Sequence, residues 1–458
     1  MVVLTAGFVL AIAVFAPLST HGQTVTNLYS FTGLNSSGNP GFGALTQGPN
    51  GKLYGTTFGP SRTAGSVFAV TTRGKASEPH TFGSDGANPW AGLTLGADGY
   101  YYGTTSVGGA TGNGVLFKLS PTGVYTALHD FAGGSDGASP FSPPIQASDS
   151  NFYGTTFGTN GASTVYRYET NGTFTTILNL DSTQGQDVVA PLAQGSDGNL
   201  YGTASTGGNP NPTNCGTIFK LSTAGQMLWT YDFSCGPSGA NPDAPLLQAS
   251  DGNFYGTTES GGVGGVQPGT VFRLDQNGNV KLLYVFKNIP DGASPTGGLT
   301  QGTDGNLYGT TSSGGKSGGG TLFQLSLSGV HKILYSFGVT GKDPFAGVMQ
   351  DTNGLFYGTT YTGGRYGFGT VYSLNMGLGP FVTFVQPTGA AGSGAQILGQ
   401  GLTGSTSVTF NGVAATSFKV VNDTYMTAVV PTGATTGKVV VTTPGGTLTS
   451  NVNFRILE

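Results

Sequence analysis

Six aspartates recur at one place in this 458-residue chain, and their spacing invites chemistry more than anything else in it. Asp85-Gly86-Ala87-Asn88-Pro89, Asp136-Gly137-Ala138-Ser139-Pro140 and Asp291-Gly292-Ala293-Ser294-Pro295 share one pattern, with looser versions at Asp187, Asp243 and Asp343. Carboxylates around one rim could hold Ca²⁺ or accept hydrogen bonds from sugar hydroxyls. The simpler expectation is that each caps its own loop through local hydrogen bonds, because these positions repeat and a site ordinarily breaks symmetry. Symmetry is broken by Arg62, Asn113, Asn160, Asn209 to Asn214, Glu259 with Gln267, Lys316 and Arg365-Tyr366. Glu259 has Asp243 and Asp291 as its nearest acidic partners, and glycoside hydrolysis needs two carboxyls about 5–9.5 Å apart. The candidate ligand-binding set is therefore Asp85, Asp136, Asp243, Glu259, Asp291, Asp343, Arg365 and Tyr366.

Other chemistry is poorly provided for. His21 lies near the start, and His80, His129 and His331 fall in separate repeats, so neither a metal cluster nor a Ser-His pair is expected. Gly-x-Ser-x-Gly occurs at Gly133–Gly137 and Gly315–Gly319, but neither follows a strand into a helix, as a nucleophile elbow must. Gly315-Lys316-Ser317 imitates the end of a phosphate loop, yet Thr310 stands where the first glycine is required. No catalytic residue, metal site or resident cofactor is expected.

Charge narrows the partners. There are 17 Lys+Arg against 21 Asp+Glu, and charged residues make up 8% of the chain, against about 25% in ordinary domains. Such a surface offers no phosphate-tracking patch for nucleic acid and no basic cluster for anionic lipid. Val2 to Leu18 is uncharged and mostly apolar, and Gly22 precedes a plausible cleavage point, so residues 1–22 read as a signal peptide. A secreted, cell-surface or periplasmic location follows, with no membrane insertion after cleavage.

These residues sit on a repeat. Tyr-Gly-Thr-Thr, once Tyr-Gly-Thr-Ala, recurs at Tyr54, Tyr102, Tyr153, Tyr201, Tyr255, Tyr308 and Tyr357, spaced 48 to 54 residues apart. That period suits one four-stranded propeller blade per copy. Strand a is short and apolar, as in Pro245-Leu246-Leu247-Gln248, and an Asp-Gly hairpin turn such as Asp98-Gly99 follows. Strand b carries the tetrapeptide, strand c centres on residues such as Phe117 and Phe272, and strand d ends near Phe131 or Phe286. Thr24-Val25-Thr26-Asn27-Leu28-Tyr29-Ser30-Phe31 matches a strand d, while the last copy stops after strand c at Leu374. The expectation is all-β: a seven-bladed propeller over residues 24–376, closed by its N-terminal strand, which removes the exposed end edges.

Register adds detail. Seven residues before each tetrapeptide Tyr stands Gln47, Leu95, Gln146, Gln194, Gln248, Gln301 or Gln350, amides expected to satisfy backbone groups of the neighbouring blade. The Gly after each Tyr reads as close backbone approach. Cys215 precedes one strand c and Cys235 follows the strand d beside it, so the hairpin brings them level for a disulfide, permitted in an exported chain.

From Pro380 the repeat gives way to short alternating strands at Ala395–Leu398, Ser407–Phe410, Tyr425–Val430, Lys438–Thr442 and Val452–Ile456. Residues 380–458 suit a small immunoglobulin-like β-sandwich without its disulfide, touching the propeller. Leu307-Tyr308-Gly309-Thr310-Thr311, Gly320-Thr321-Leu322-Phe323 and Leu334-Tyr335-Ser336-Phe337 resemble the GloVer-type tandem repeat of exported, choice-of-anchor bacterial proteins. Ile397-Leu398-Gly399-Gln400-Gly401, Val408-Thr409-Phe410-Asn411-Gly412 and Pro444-Gly445-Gly446 resemble an IPT/TIG domain. The first resemblance implies export and a surface context. The second implies an immunoglobulin-like module of surface receptors and glycan-active proteins, and neither brings a catalytic motif. The leading expectation is a non-enzymatic binding or surface-interaction protein, with carbohydrate or another surface polymer as partner. The alternatives are a glycan-active hydrolase or lyase, and a structural coat component.

Overall fold

The computed structural model describes residues 23–33, 38–59, 64–157, 163–208, 214–236, 238–261 and 268–457, so the leader lies outside the described residues. From Thr24 to Asn375 the backbone builds seven four-stranded antiparallel sheets, a propeller-like arrangement. Six of them take their strands from consecutive sequence, as in Leu247–Gln248, Phe254–Thr258, Thr270–Leu274 and Val280–Val285. The last sheet recruits its outer strand from the other end of the chain. Thr24–Ser30 pairs antiparallel with Thr370–Asn375, from Thr24 opposite Asn375 to Ser30 opposite Thr370.

Each letter of the tetrapeptide has a physical task. In five sheets the Tyr hydroxyl donates to the carboxylate of its own a–b turn, as Tyr102 to Asp98 at 2.8 Å, Tyr153 to Asp149 at 2.7 Å and Tyr255 to Asp251 at 2.8 Å, whereas Tyr54 and Tyr357 accept from Asn50 and Asn353. The Gly lies under the strand-c ring, and a Cβ on Gly55, Gly103, Gly256 or Gly309 would come within 3.0 Å of Phe68, Phe117, Phe272 or Phe323. The first Thr reaches the next sheet: Thr56 Oγ1 donates to Ala91 O at 2.7 Å, Thr203 to Ala244 O at 3.0 Å, Thr310 to Ala346 O at 2.8 Å. The second Thr bonds across to strand c, as in Thr258 with Thr270 at 2.8 Å.

Two local expectations need revision. The a–b turns are not two-residue hairpins with both central residues at positive φ. Gly99 N donates to Gly96 O at 2.9 Å and Gly96 N to Tyr100 O at 2.8 Å, and only Gly99 takes positive φ, 81°. This is a type I turn closed by a glycine bulge, which leaves Asp98 free to accept from Tyr100 N at 3.2 Å and from the Tyr102 hydroxyl. Strand a is also shorter than expected, two residues in every sheet. The segments before it pack backbone to backbone, and a Cβ on Gly43 or Gly297 would strike the main chain at Gly92 or Gly347.

The glutamines link neighbouring sheets as expected. Ala97, Ser148, Ser196 and Ser250 N each donate at 2.8 Å to Oε1 of Gln146, Gln194, Gln248 and Gln301 in the following sheet. Thr303 N donates to Gln350 at 2.9 Å, and Thr352 N in the last sheet donates at 3.1 Å to Gln47 in the first.

Residues 383–457 make two further four-stranded sheets and a parallel pair, Thr388–Ala390 with Arg455–Leu457. They enclose a core that includes Ile397, Leu402, Phe410, Met426, Val441 and Phe454. Gly394–Leu398, Ser407–Phe410, Tyr425–Val429 and Val439–Thr443 fall near the expected positions. Ser417–Asn422 and Gly446–Thr449, largely exposed, were not expected, because they contribute few side chains to that core. The unit sits on the a–b turns. Thr424 Oγ1 donates to Pro49 O at 2.8 Å, Gln386 Nε2 to Gln146 Oε1 at 3.1 Å, Thr352 Oγ1 to Gly399 O at 3.1 Å, and Gln396 Nε2 to Ala97 O. Leu398 packs with Tyr54, Leu95 and Tyr101. The opposite face, carrying the d–a connections and b–c loops, bears none of these contacts.

Candidate functional site

The residue four places before each strand a occupies the same spot in all seven sheets: Phe42, Trp90, Phe141, Val189, Asp243, Thr296 and Phe345. All seven line one cavity of about 620 Å³, within the usual range of small-molecule sites, about 300–1,000 Å³. The residue after each tetrapeptide forms a second set: Phe58, Ser106, Phe157, Ser205, Glu259, Ser312 and Tyr361. Of these, Phe157 and Glu259 reach the lining. The first set lies where the d–a connections end and the second where the b–c loops begin, so the cavity belongs to the face away from the C-terminal unit.

Aromatic rings form a continuous arc on one side. Phe345 meets Phe42 edge-on with centroids 4.9 Å apart, Phe42 meets Trp90 at 5.0 Å, Trp90 meets Phe141 at 5.0 Å, and Phe141 meets Phe157 at 5.1 Å. Phe58 and Tyr361 buttress it from behind, 5.4 and 5.5 Å from Phe42. The edge-to-face contacts among them, Phe345–Phe42, Trp90–Phe141 and Phe141–Phe157, fix ring orientation and contribute about 0.5–1.5 kcal/mol each beyond area burial.

On the fifth sheet both register positions carry carboxyls. Asp243 stands where other sheets place an aromatic ring, Val or Thr, and Glu259 where they place Phe, Tyr or Ser. Burial, and then the charge and hydrogen bond of Glu259, push the Asp243 carboxyl up to about 8, and Asp187 adds to the rise. One oxygen of Asp243, Oδ1, is shielded from solvent without a hydrogen-bond partner. Two touching carboxyls cannot both ionise cheaply, so the pair retains one proton near neutral pH and titrates as a unit. The wall thus presents a proton donor and acceptors together.

The remaining candidates are held elsewhere. Asp85 accepts from Gly83 N at 2.8 Å, and its Oδ2 lies 2.9 Å from His80 Nε2. Asp136 accepts from Ala132 N at 2.6 Å and faces His129 at 3.1 Å. Asp291 accepts from the Tyr284 hydroxyl at 2.8 Å and Lys287 N at 3.0 Å, and lies 3.4 Å from His331 of the next sheet. Burial holds His331 below its ordinary value despite that carboxylate. Asp343 accepts from Thr362 Oγ1 at 2.6 Å. Arg365 lies over the exposed Tyr366 ring at 5.4 Å, and its N–H donates to Ser30 on the outermost strand. These side chains cap loops or join sheets, and of the eight candidates only Asp243 and Glu259 meet in the cavity. Arg62, Asn160 and Gln267 lie outside the described residues, while Asn113 and Lys316 do not line the cavity.

The aromatic arc carries a sequence signal only as one register position aligned across seven repeats. Cys215 and Cys235 form the expected disulfide, Cα atoms 5.3 Å apart. Among the described residues no group of three His, Cys, Asp or Glu is placed to hold a metal ion. No described helix is long and apolar enough to cross a membrane.

The repeat pattern of the Gloeobacter/Verrucomicrobia repeat family matches residues 13–211 and 145–372. The chain belongs to that family. No curated protein matches it. Among solved structures, the extracellular domain of a one-component system protein from B. thetaiotaomicron is 13% identical with a TM-score of 0.52, over 93% of this chain and 52% of that one. A fungal alcohol oxidase in complex with copper is 11% identical with a TM-score of 0.50, over 95% of this chain and 99% of that one. A gluconolactonase from Xanthomonas campestris is 14% identical with a TM-score of 0.39, over 64% and 86%. At these identities the likeness to the first two is one of fold.

Proposed function

We propose that this is an exported binding protein, secreted or held at the cell surface or in the periplasm, built as a closed seven-bladed propeller with an IPT/TIG-type sandwich behind it. Closure is supported by the pairing of Thr24–Ser30 with Thr370–Asn375 and by the glutamine link from the last sheet to the first. The axial cavity on the open face is the binding site, and carbohydrate or another surface polymer is its partner. The observation that carries this reading is the cavity itself: every sheet contributes to it, and rings stand opposite an acid pair. Ring faces stack on the C–H faces of sugars while carboxyls take hydroxyl hydrogen bonds.

The hydrolase reading fits less well. Asp243 and Glu259 touch, whereas sugar and water need carboxyls about 5–9.5 Å apart. The test is retention of the mature protein on immobilised polysaccharides and cell-wall fractions, with Trp90→Ala and Phe141→Ala as cavity variants. Retention lost in both variants is expected. No retention on any matrix, or retention that ignores both substitutions, would overturn the proposal.

A further inference from the structure

Resting on that reading, we infer that the cavity selects a protonated amine carried beside an apolar ring face, which in a polysaccharide means an amino sugar. The two walls are chemically opposite. One holds Asp243 and Glu259 with Asp187 behind them, and the other holds the arc from Phe345 through Phe42 and Trp90 to Phe141. No Lys, Arg or His lines the cavity among the described residues. The acid pair therefore has no internal counter-ion, and buried charge is ordinarily paired.

A neutral sugar could donate hydroxyls to the wall but would leave its charge uncompensated. An ammonium brings both charge and donors to the acid pair, and it gains further from the ring faces opposite. Charge-assisted hydrogen bonds are roughly twice as strong as neutral ones, so the amine should be favoured by about tenfold or more over its acetylated analogue.

The groups facing Asp243 are Glu259 on its own sheet, Asp187 from the connection before the fourth sheet, and Ser205. None is cationic. An arriving ammonium therefore displaces the proton the pair shares, and that proton passes to the buffer. Binding of a permanently charged amine near pH 6.5 should release up to one proton and tighten as pH rises from 5 to 8.

The experiment is titration calorimetry with glucosamine tetramer at pH 6, its N-acetylated and cellotetraose counterparts, and benzyltrimethylammonium from pH 5 to 8 in two buffers of different ionisation enthalpy. Expected is at least about tenfold preference for the glucosamine tetramer. Asp243→Asn and Glu259→Gln should each abolish it, while Asp136→Asn, away from the cavity, should keep it. Glu259→Gln also serves where Asp243→Asn fails to fold. Equal affinity for glucosamine and N-acetylglucosamine tetramers would overturn the amine inference and leave carbohydrate binding standing. Binding of benzyltrimethylammonium with proton release but of no sugar would support the amine site and overturn the carbohydrate reading. Binding of none of these probes would overturn both.

Discussion

Replacing Asp243 by Asn should stabilise the protein at neutral and higher pH, by an amount that grows with pH. Burial and Glu259 raise the Asp243 pKa from 3.8 to about 8. At about 1.36 kcal/mol per unit, an isolated group so shifted would cost about 5–6 kcal/mol once both states are ionised. Sharing of the proton with Glu259 and the open side of the cavity reduce the expected effect to about 2–4 kcal/mol. Because the folded pKa lies above the unfolded one, the native chain binds more protons between pH 4 and 8. Its stability is therefore full below about pH 4 and is lost as pH rises through 8. Asparagine keeps the shape and cannot ionise. Urea midpoints of both proteins at pH 4, 6 and 8 give the result directly. The variant should match the parent at pH 4 and exceed it increasingly toward pH 8. A difference that does not change with pH, or a variant weaker than the parent at pH 8, would refute the account of the acid pair.

Asp351, buried at the junction with the C-terminal unit, is raised to about 6 by that burial, so its contribution is likewise full below about pH 4 and lost as pH rises through 6. Asp351→Asn should flatten that part of the pH profile by up to about 3 kcal/mol, read from the same midpoint series. Replacing Cys215 and Cys235 by Ser should cost about 3 kcal/mol for a loop of this length, and a reducing agent should lower the parent midpoint and leave the variant unmoved. Gly256→Ala forces a methyl against Phe272 and should cost about 1–3 kcal/mol, measured by denaturant unfolding. Deleting Thr24–Ser30 strips the last sheet of its outer strand; size-exclusion chromatography should show association through the bared edge, and a soluble, equally stable monomer would contradict the pairing.

What the sequence showed follows from what repetition can reveal. A tetrapeptide with strict register fixes which residue faces the strand-c ring, which reaches the turn and which reaches the neighbour, so the glutamine links and the glycine contacts were legible. The N-terminal strand was legible because Leu28-Tyr29-Ser30-Phe31 copies Leu334-Tyr335-Ser336-Phe337. The turn type was not, because Asp-Gly supports both a two-residue hairpin and a bulged type I turn, and the Tyr hydroxyl that decides between them lies on strand b. Of the site, Glu259 stood out as an irregular acid and Asp243 as its neighbour. Phe42, Trp90, Phe141 and Phe345 were passed over because an aromatic beside Pro or Gly in a connection reads as ordinary core. Only their common distance from strand a reveals that they converge.

The C-terminal unit grips the seven sheets unevenly. It takes hold of the first, second, third and seventh, at Pro49, Ala97, Gln146 and Thr352, and bridges the junction where the two ends of the repeat meet. Inside the seventh sheet Thr24–Ser30 is held to Thr370–Asn375 by strand pairing alone before the chain runs on into the first sheet, and the unit, which follows Asn375 and reaches Pro49, fastens that seam as a buckle fastens a belt. Peeling Thr24–Ser30 and the first sheet away from Thr370–Asn375 would also have to break the contact between Thr424 and Pro49, so the seam is backed by the C-terminal unit.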